Sequence, residues 1–108
     1  MRQLGLHVLG LPDTPVDAAR SFYEIHVPTI HDALQAAAEK GAPFTLTLMF
    51  PSADYSHRAW RLTAVQDLAR ESAPVRINGI AGDDEHAIKQ ALAYLAEAPG
   101  VTGQLLAV

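Results

Sequence analysis

Short apolar segments of two kinds alternate along this chain, and that alternation most constrains its fold. Leu4 to Leu11 is an apolar run ended by Pro12, the pattern of a strand buried on both faces. Thr14 precedes Pro15, and Asp17 follows three residues after Thr14. That spacing predicts a helix start, with a capping hydroxyl, a proline at the first helical position and acid in the first turn. The helical pattern runs to about Lys40 and stops at Gly41. Pro28 interrupts it. A proline there removes a backbone donor and crowds the carbonyl of Glu24, so a kink or a restart is expected.

The rest of the chain repeats the alternation. Phe44 to Phe50 is β-rich, with Phe44, Leu46, Leu48 and Phe50 on one face and Pro51 as terminator. A helix is expected from about Asp54 to Ser72, and a strand from Val75 to Ala81. Asp83, Asp84 and Glu85 place acid at the start of another helix, favourable to its dipole, which runs to Glu97 and is ended by Pro99 and Gly100. Gln104 to Val108 makes a last strand. The order is βαβαβαβ. Strands joined through helices of this length need crossover connections, so the fold class is α/β, with a four-stranded parallel sheet between helical layers.

At 108 residues and 49% hydrophobic, the chain allows one core, and residues 1–108 are expected to form a single domain. Eight Lys and Arg stand against twelve Asp and Glu. Without a basic cluster to neutralise phosphates, nucleic acid is not an expected partner. No apolar run approaches the ~20 residues that cross a bilayer, so no membrane role is expected. The absence of cysteine excludes disulfides, thiolate catalysis and cysteine-ligated zinc. Arg2 and the leucines after it imitate a short signal peptide. Gly5, His7 and Gly10 break that stretch, however, and no small-residue cleavage site precedes Pro12, so the expected location is cytoplasmic.

Two blocks carry a resemblance. Residues 68–82, LARESAPVRINGIAG, resemble the "LA.E.AP.IRVN.I.PG" stretch of short-chain dehydrogenases/reductases. Residues 93–108, AYLAEAPGVTGQLLAV, resemble that family's "YL.S.....VTGQ.L.VDGG" ending, without its final glycines. Upstream, Ile25-His26-Val27 falls where the family has a "VN" on a kinked helix, and Phe44 to Ser52 resembles the strand leading to its catalytic serine. The resemblance implies the second half of a Rossmann fold, a three-layer half-Rossmann in which Leu4 to Leu11 corresponds to the family's fourth strand. It also implies a common mode of dimerisation, with the helices equivalent to residues 15–40 and 54–72 packed into a four-helix bundle. Ala18, Ala19, Ala36, Ala37, Ala38, Ala59 and Ala64 on those helices permit close approach.

The chemistry that the family carries is not matched position by position. Dinucleotide binding needs a Gly-rich turn that lets the backbone approach a pyrophosphate, and no G-x-G-x-x-G occurs here. The family sets a tyrosine and a lysine four residues apart on one helix face, the lysine lowering the tyrosine's pKa. Anchoring on residues 68–74 puts Asp54 at the tyrosine position and Arg58 at the lysine position. Tyr55 is one residue out of register, about 100° around a helix. Ser52 lies only three residues before Tyr55, His26 stands where the family has an asparagine, and Gly82 passes into Asp83 without the family's substrate lid.

Ser52, Asp54, Tyr55, His57 and Arg58 nevertheless form the densest polar cluster, at a strand's C-terminal end where ligands of open α/β sheets bind. The competing explanation is local: serine and aspartate cap the following helix while His57 and Arg58 face water. Among the five histidines, His26 and His31 are five apart, a spacing that does not suit a helical metal pair, so no metal is expected. Trp60 and Tyr94 read as core aromatics, and Arg70, Glu71 and Ser72 as a solvated helix end. Three functions follow. The first is a dehydrogenase-like protein without catalysis, cofactor or dinucleotide binding, which associates with itself or with a full-length dehydrogenase-like partner. The second is an enzyme of altered chemistry completed by another chain, with Tyr55 as acid/base aided by Arg58 or His57, and Ser52 holding a substrate oxygen. The third is a small-ligand binding module that uses the same cleft.

Overall fold

The computed structural model describes residues 1–108. Four strands, Arg2–His7 (β1), Phe44–Phe50 (β2), Arg76–Ala81 (β3) and Leu105–Ala107 (β4), form one sheet in the order β1-β2-β3-β4. Every neighbouring pair is parallel, with Leu4 opposite Leu46 and Leu46 opposite Ile77. Parallel neighbours need long connections. These are α1 (Pro15–Ser21), a π turn (Phe22–His26) and α2 (Val27–Glu39) after β1, a 3-10 turn (Tyr55–His57) and α3 (Arg58–Ser72) after β2, and α4 (Glu85–Ala96) after β3.

Strand alternation divides the side chains between two faces. Leu4, Leu6, Val8, Leu46, Leu48, Phe50, Ile77 and Leu105 pack with Phe22, Ile30, Ala64, Val65 and Leu68 from the π turn, α2 and α3. Ile80 and Leu106 face the other way, against Ile88, Ala91, Leu92 and Leu95 of α4. The result is the three-layer half-Rossmann expected from the sequence. Each fully buried Leu, Ile or Phe contributes roughly 1.5–3 kcal/mol.

Pro28 acts as anticipated. Its ring excludes the ordinary bond to Glu24, and the helix widens over Phe22–His26, the Val27 amide donating to the Phe22 carbonyl. α2 restarts at Val27 with Pro28 in its first turn, where a missing donor costs nothing.

Several expectations are corrected. The first strand is Arg2–His7, not Leu4 to Leu11, and with Gly5 and His7 exposed it is not buried on both faces; it lies at the sheet edge, as expected of a half-Rossmann that opens on the family's fourth strand. Its limits follow from pairing with β2, where Arg2 meets Phe44 and the Val8 amide still reaches the Met49 carbonyl at 2.9 Å. Thr14 precedes α1 without capping it: its hydroxyl donates to Asp17 Oδ2 at 2.8 Å. The helix expected from Asp54 opens as a 3-10 turn, and the last two strands begin at Arg76 and Leu105. Trp60 does pack against the core, but Tyr94 is exposed. Arg70 and Glu71 are exposed, although Arg70 pairs with Asp67, and Glu71 with His31 at 2.6 Å.

The two blocks that carry the resemblance hold each other. The Arg76 guanidinium donates to the carbonyls of Leu95, Ala98 and Val101, closing the C-terminal end of α4. Asn78, fully buried, donates from Nδ2 to the Val101 carbonyl and accepts at Oδ1 from the Gln104 amide, both at 3.0 Å. The loop from α4 to β4 is thus pinned to β3, which fixes the far wall of the cleft described next.

Candidate functional site

Parallel strands end their C-terminal edges together, so the chain after β2, β3 and β4 converges at one end of the sheet. Pro51 terminates β2, and Asp54 caps the 3-10 turn that follows. Its carboxylate accepts from the Ser56 amide at 2.9 Å and from the Ser56 hydroxyl. Those two bonds, the hydroxyl first, hold the Asp54 pKa below the ordinary aspartate value. After β3, Asp83 Oδ1 accepts from the Ser52 amide at 2.9 Å, tying the β2 and β3 turns together.

The structure gathers the whole polar cluster and leaves His26 outside it. Ser52, Tyr55, His57 and Arg58 line a cleft of about 180 Å³ with Asp54, Arg61, Leu105 and Ala107. Ser52, Asp54, His57 and Arg61 also line an adjoining cleft of about 380 Å³, closed on its other side by Gly10 to Asp13. His26 lines neither; it lies on the π turn, stacked on Phe22 with ring centroids 5.9 Å apart.

His57 does not face water as expected. It is buried, and both ring nitrogens are engaged: Trp60 Nε1–H donates to Nδ1 at 3.0 Å, and Nε2 lies 2.7 Å from the Asp13 carbonyl oxygen. Indole N–H can only donate and a backbone carbonyl can only accept. His57 is therefore neutral, with its proton on Nε2, and has no free nitrogen for Tyr55 or a substrate. Its place is structural: it joins the β1–α1 loop to the start of α3.

Tyr55 is 85% exposed, on the 3-10 turn and not on α3, and Arg58 is exposed as well. The capping explanation therefore holds for Asp54 and fails for Ser52, which bonds through its amide, to Asp83, and not through its hydroxyl.

The residue that the sequence reading missed is Arg61. It is only 5% exposed, and it borders both clefts. Nη1 donates to the Pro51 carbonyl at 2.9 Å, and the guanidinium lies 4.9 Å from the Phe50 ring centroid and 5.9 Å from that of Trp60. Burial lowers its pKa from the ordinary arginine value. The signal for it was present: His57, Arg61, Ala64, Val65 and Leu68 follow the stripe of a buried helix face, with two polar members.

The other histidines do not converge, and no group of three His, Asp or Glu side chains could hold a metal ion. No helix is long and apolar enough to cross a membrane.

A parallel half-Rossmann sheet with a polar cleft at its C-terminal edge defines a Rossmann-like α/β protein. The family model for a short chain dehydrogenase-like protein matches residues 6–108, so the chain belongs to that SDR-like family. No curated protein and no solved structure matches it.

Proposed function

We propose that this chain is a non-catalytic member of its family that acts by association, with further copies of itself or with a full-length dehydrogenase-like partner. On this reading it binds no dinucleotide. The observation that carries it is the start of α3. A tyrosine acting as acid/base needs a cation one helical turn away and a hydroxyl turned to the substrate. Here the position is held by Asp54, whose carboxylate caps the turn, while Tyr55 points into solvent and His57 is locked by Trp60 and Asp13. The turns after β1, β2 and β3 lack the Gly-rich run that cradles a pyrophosphate, and α4 begins four residues after β3, with no room for a lid.

Association is supported by what the surface leaves open. β1 lies at the sheet edge, and a groove of about 250 Å³ runs beside it between Leu4, Leu6, Ala33, Ala36 and Ala37. Val16, Tyr23 and Ile25 are exposed on α1 and the π turn, part of the helical surface that the family uses to dimerise. An uncovered edge and apolar side chains of this kind favour pairing. Ala18, Ala37 and Ala64 belong to the chain's own core, so only Ala36, Ala38 and Ala59 are exposed for close approach. The proposed location is the cytoplasm, since the leucine-rich residues 2–7 are built into the sheet as β1.

Calorimetry with oxidised and reduced nicotinamide dinucleotides, beside light scattering at micromolar protein, tests both parts. No heat of binding and a mass of two or more chains are expected. A stoichiometric dinucleotide complex would remove the non-binding claim, and a monomer would remove self-association. An Ala36→Asp variant that dissociates assigns the contact to the groove beside β1, and an Ile25→Asp variant that dissociates assigns it to the exposed face of the π turn.

The second reading, a small-ligand module or an altered enzyme completed by another chain, is favoured by one observation: Ser52, Tyr55 and Arg58 share a cleft. Turnover that survives Tyr55→Phe would remove the enzymatic form of it.

A further inference from the structure

We propose that the Arg61 guanidinium is the anchor of a binding site for a small oxyanion, a carboxylate or phosphate group, in the cleft between the β2–α3 turn and the end of β4. The site rests on how Arg61 is left. The side chain is buried, yet the ion pairs in the protein join His31 to Glu71 and Arg70 to Asp67, and none involves Arg61. One of its N–H groups, on Nη1, goes to the Pro51 carbonyl. Nε is buried without a partner, and Nη2 makes no hydrogen bond while keeping access to solvent.

The unused groups are the informative ones. Nε–H and the near N–H of Nη2 lie on one edge of the planar guanidinium, the edge that grips two oxygens of a carboxylate or phosphate in parallel. The bond to Pro51 and the two aromatic faces fix the plane, so this edge is oriented before any ligand arrives. A purely packing arginine would keep its head group in water, as long cationic side chains usually do. This one leaves Nε unpaired away from water and only Nη2 within reach of it, an arrangement that a ligand oxygen completes.

The surroundings select the ligand's size and charge. Ala81, Leu105 and Ala107 give the cleft an apolar wall, and Ser52 and Arg58 line it with a hydroxyl and a second cation. Asp54 also borders it, but its carboxylate is turned into the cap with Ser56. About 180 Å³ accommodates an acid of a few heavy atoms. Nη2 is the first point of contact. Nε is screened from water, so the full two-oxygen grip requires a small movement of the wall.

The proposal is independent of the association reading, and either can fail alone. Its test is the Nε–H resonance of Arg61 in the ¹⁵N-labelled protein. The protein is titrated with sodium acetate, with sodium phosphate, and with sodium chloride at matched ionic strength. A saturable shift with at least one oxyanion and not with chloride is expected. Saturation by acetate alone assigns a carboxylate ligand, by phosphate alone a phosphate, and by both a general oxyanion site. Arg61→Met should weaken that binding roughly tenfold or more, and Arg61→Lys, which keeps the charge and loses the fork, should weaken it too. The same linear drift in all three salts would overturn the proposal, as would saturable binding that leaves the Arg61 signal unmoved. The wild-type titration decides the matter even if neither variant folds.

Discussion

The Trp60 indole N–H donates to His57 Nδ1 at 3.0 Å, and this one bond fixes the tautomer of a buried histidine. Because the ring's other nitrogen meets the Asp13 carbonyl, the proton sits on Nε2, and a residue resembling a catalytic base becomes a strut. Trp60 also packs against Phe22 and Phe50, so the strut connects the β1–α1 loop to the main core.

Removing the indole donor tests this relationship. Trp60→Phe keeps a ring in the core and leaves His57 Nδ1 unpaired, at an expected cost of about 1–3 kcal/mol in urea denaturation. In the wild type at neutral pH, ¹⁵N chemical shifts should show Nε2 as the protonated nitrogen and Nδ1 as the acceptor. A proton on Nδ1 would contradict the assignment.

Asp54 and Ser56 give a pH signature on the acid side. The folded Asp54 pKa lies below its ordinary value, held down first by the Ser56 hydroxyl and then by the Ser56 amide. Its contribution to stability is therefore present above the ordinary value and is lost as pH falls through the folded one. Carboxyl NMR should show Asp54 titrating low, and Ser56→Ala should move it back up and flatten the acid limb of the stability profile. An unchanged titration in Ser56→Ala would remove the hydroxyl as the cause.

Tyr23 gives the alkaline counterpart. The residue is 44% exposed, but partial loss of water around the hydroxyl, and then the hydrogen bond and charge of Asp67, raise its pKa above the ordinary tyrosine value; the hydroxyl donates to Asp67 Oδ2 at 3.2 Å. The neutral phenol is the form the fold prefers. Its contribution is complete below the ordinary value and is lost as pH rises through the folded one. Asp67→Asn should bring the phenol's titration down part of the way, because the partial loss of water remains. A titration that does not move would show that Asp67 has no part in it.

Much of the architecture was legible because its causes are local. Pro28 cannot bond back to Glu24, so the restart could be read in advance, though not its form as a π turn. The alternation of Phe44 to Phe50 gave β2 and its core face directly. The limits of β1 depend instead on where Arg2 meets Phe44 across the sheet, a pairing that local apolarity does not encode. Thr14 was a plausible cap whose hydroxyl found Asp17 closer than the backbone.

The site was legible only in outline. The position of Ser52, Tyr55 and Arg58 at a strand's C-terminal end followed from topology. The burial of His57 and Arg61 did not, because composition makes α3 look solvated; only the spacing of both from Ala64, Val65 and Leu68 reveals the buried face.

Gly103 tests the junction that carries the "VTGQ" resemblance. Its φ is +72°, in the left-handed region, and its amide donates to the Ile77 carbonyl at 2.8 Å. Gly103→Ala should destabilise by about 1–2 kcal/mol. Gly100→Ala should be nearly neutral, since a side chain there meets open space. Equal thermal shifts in the two variants would contradict the conformational requirement at Gly103.

Native mass spectrometry of the tagged chain, purified gently from its own host, tests association without dinucleotide chemistry. An assembly of fixed stoichiometry is expected, made of several copies or of this chain with a full-length dehydrogenase-like protein. Within it, this chain carries no nicotinamide dinucleotide. A single chain, or this chain with one dinucleotide bound, would contradict the proposed function.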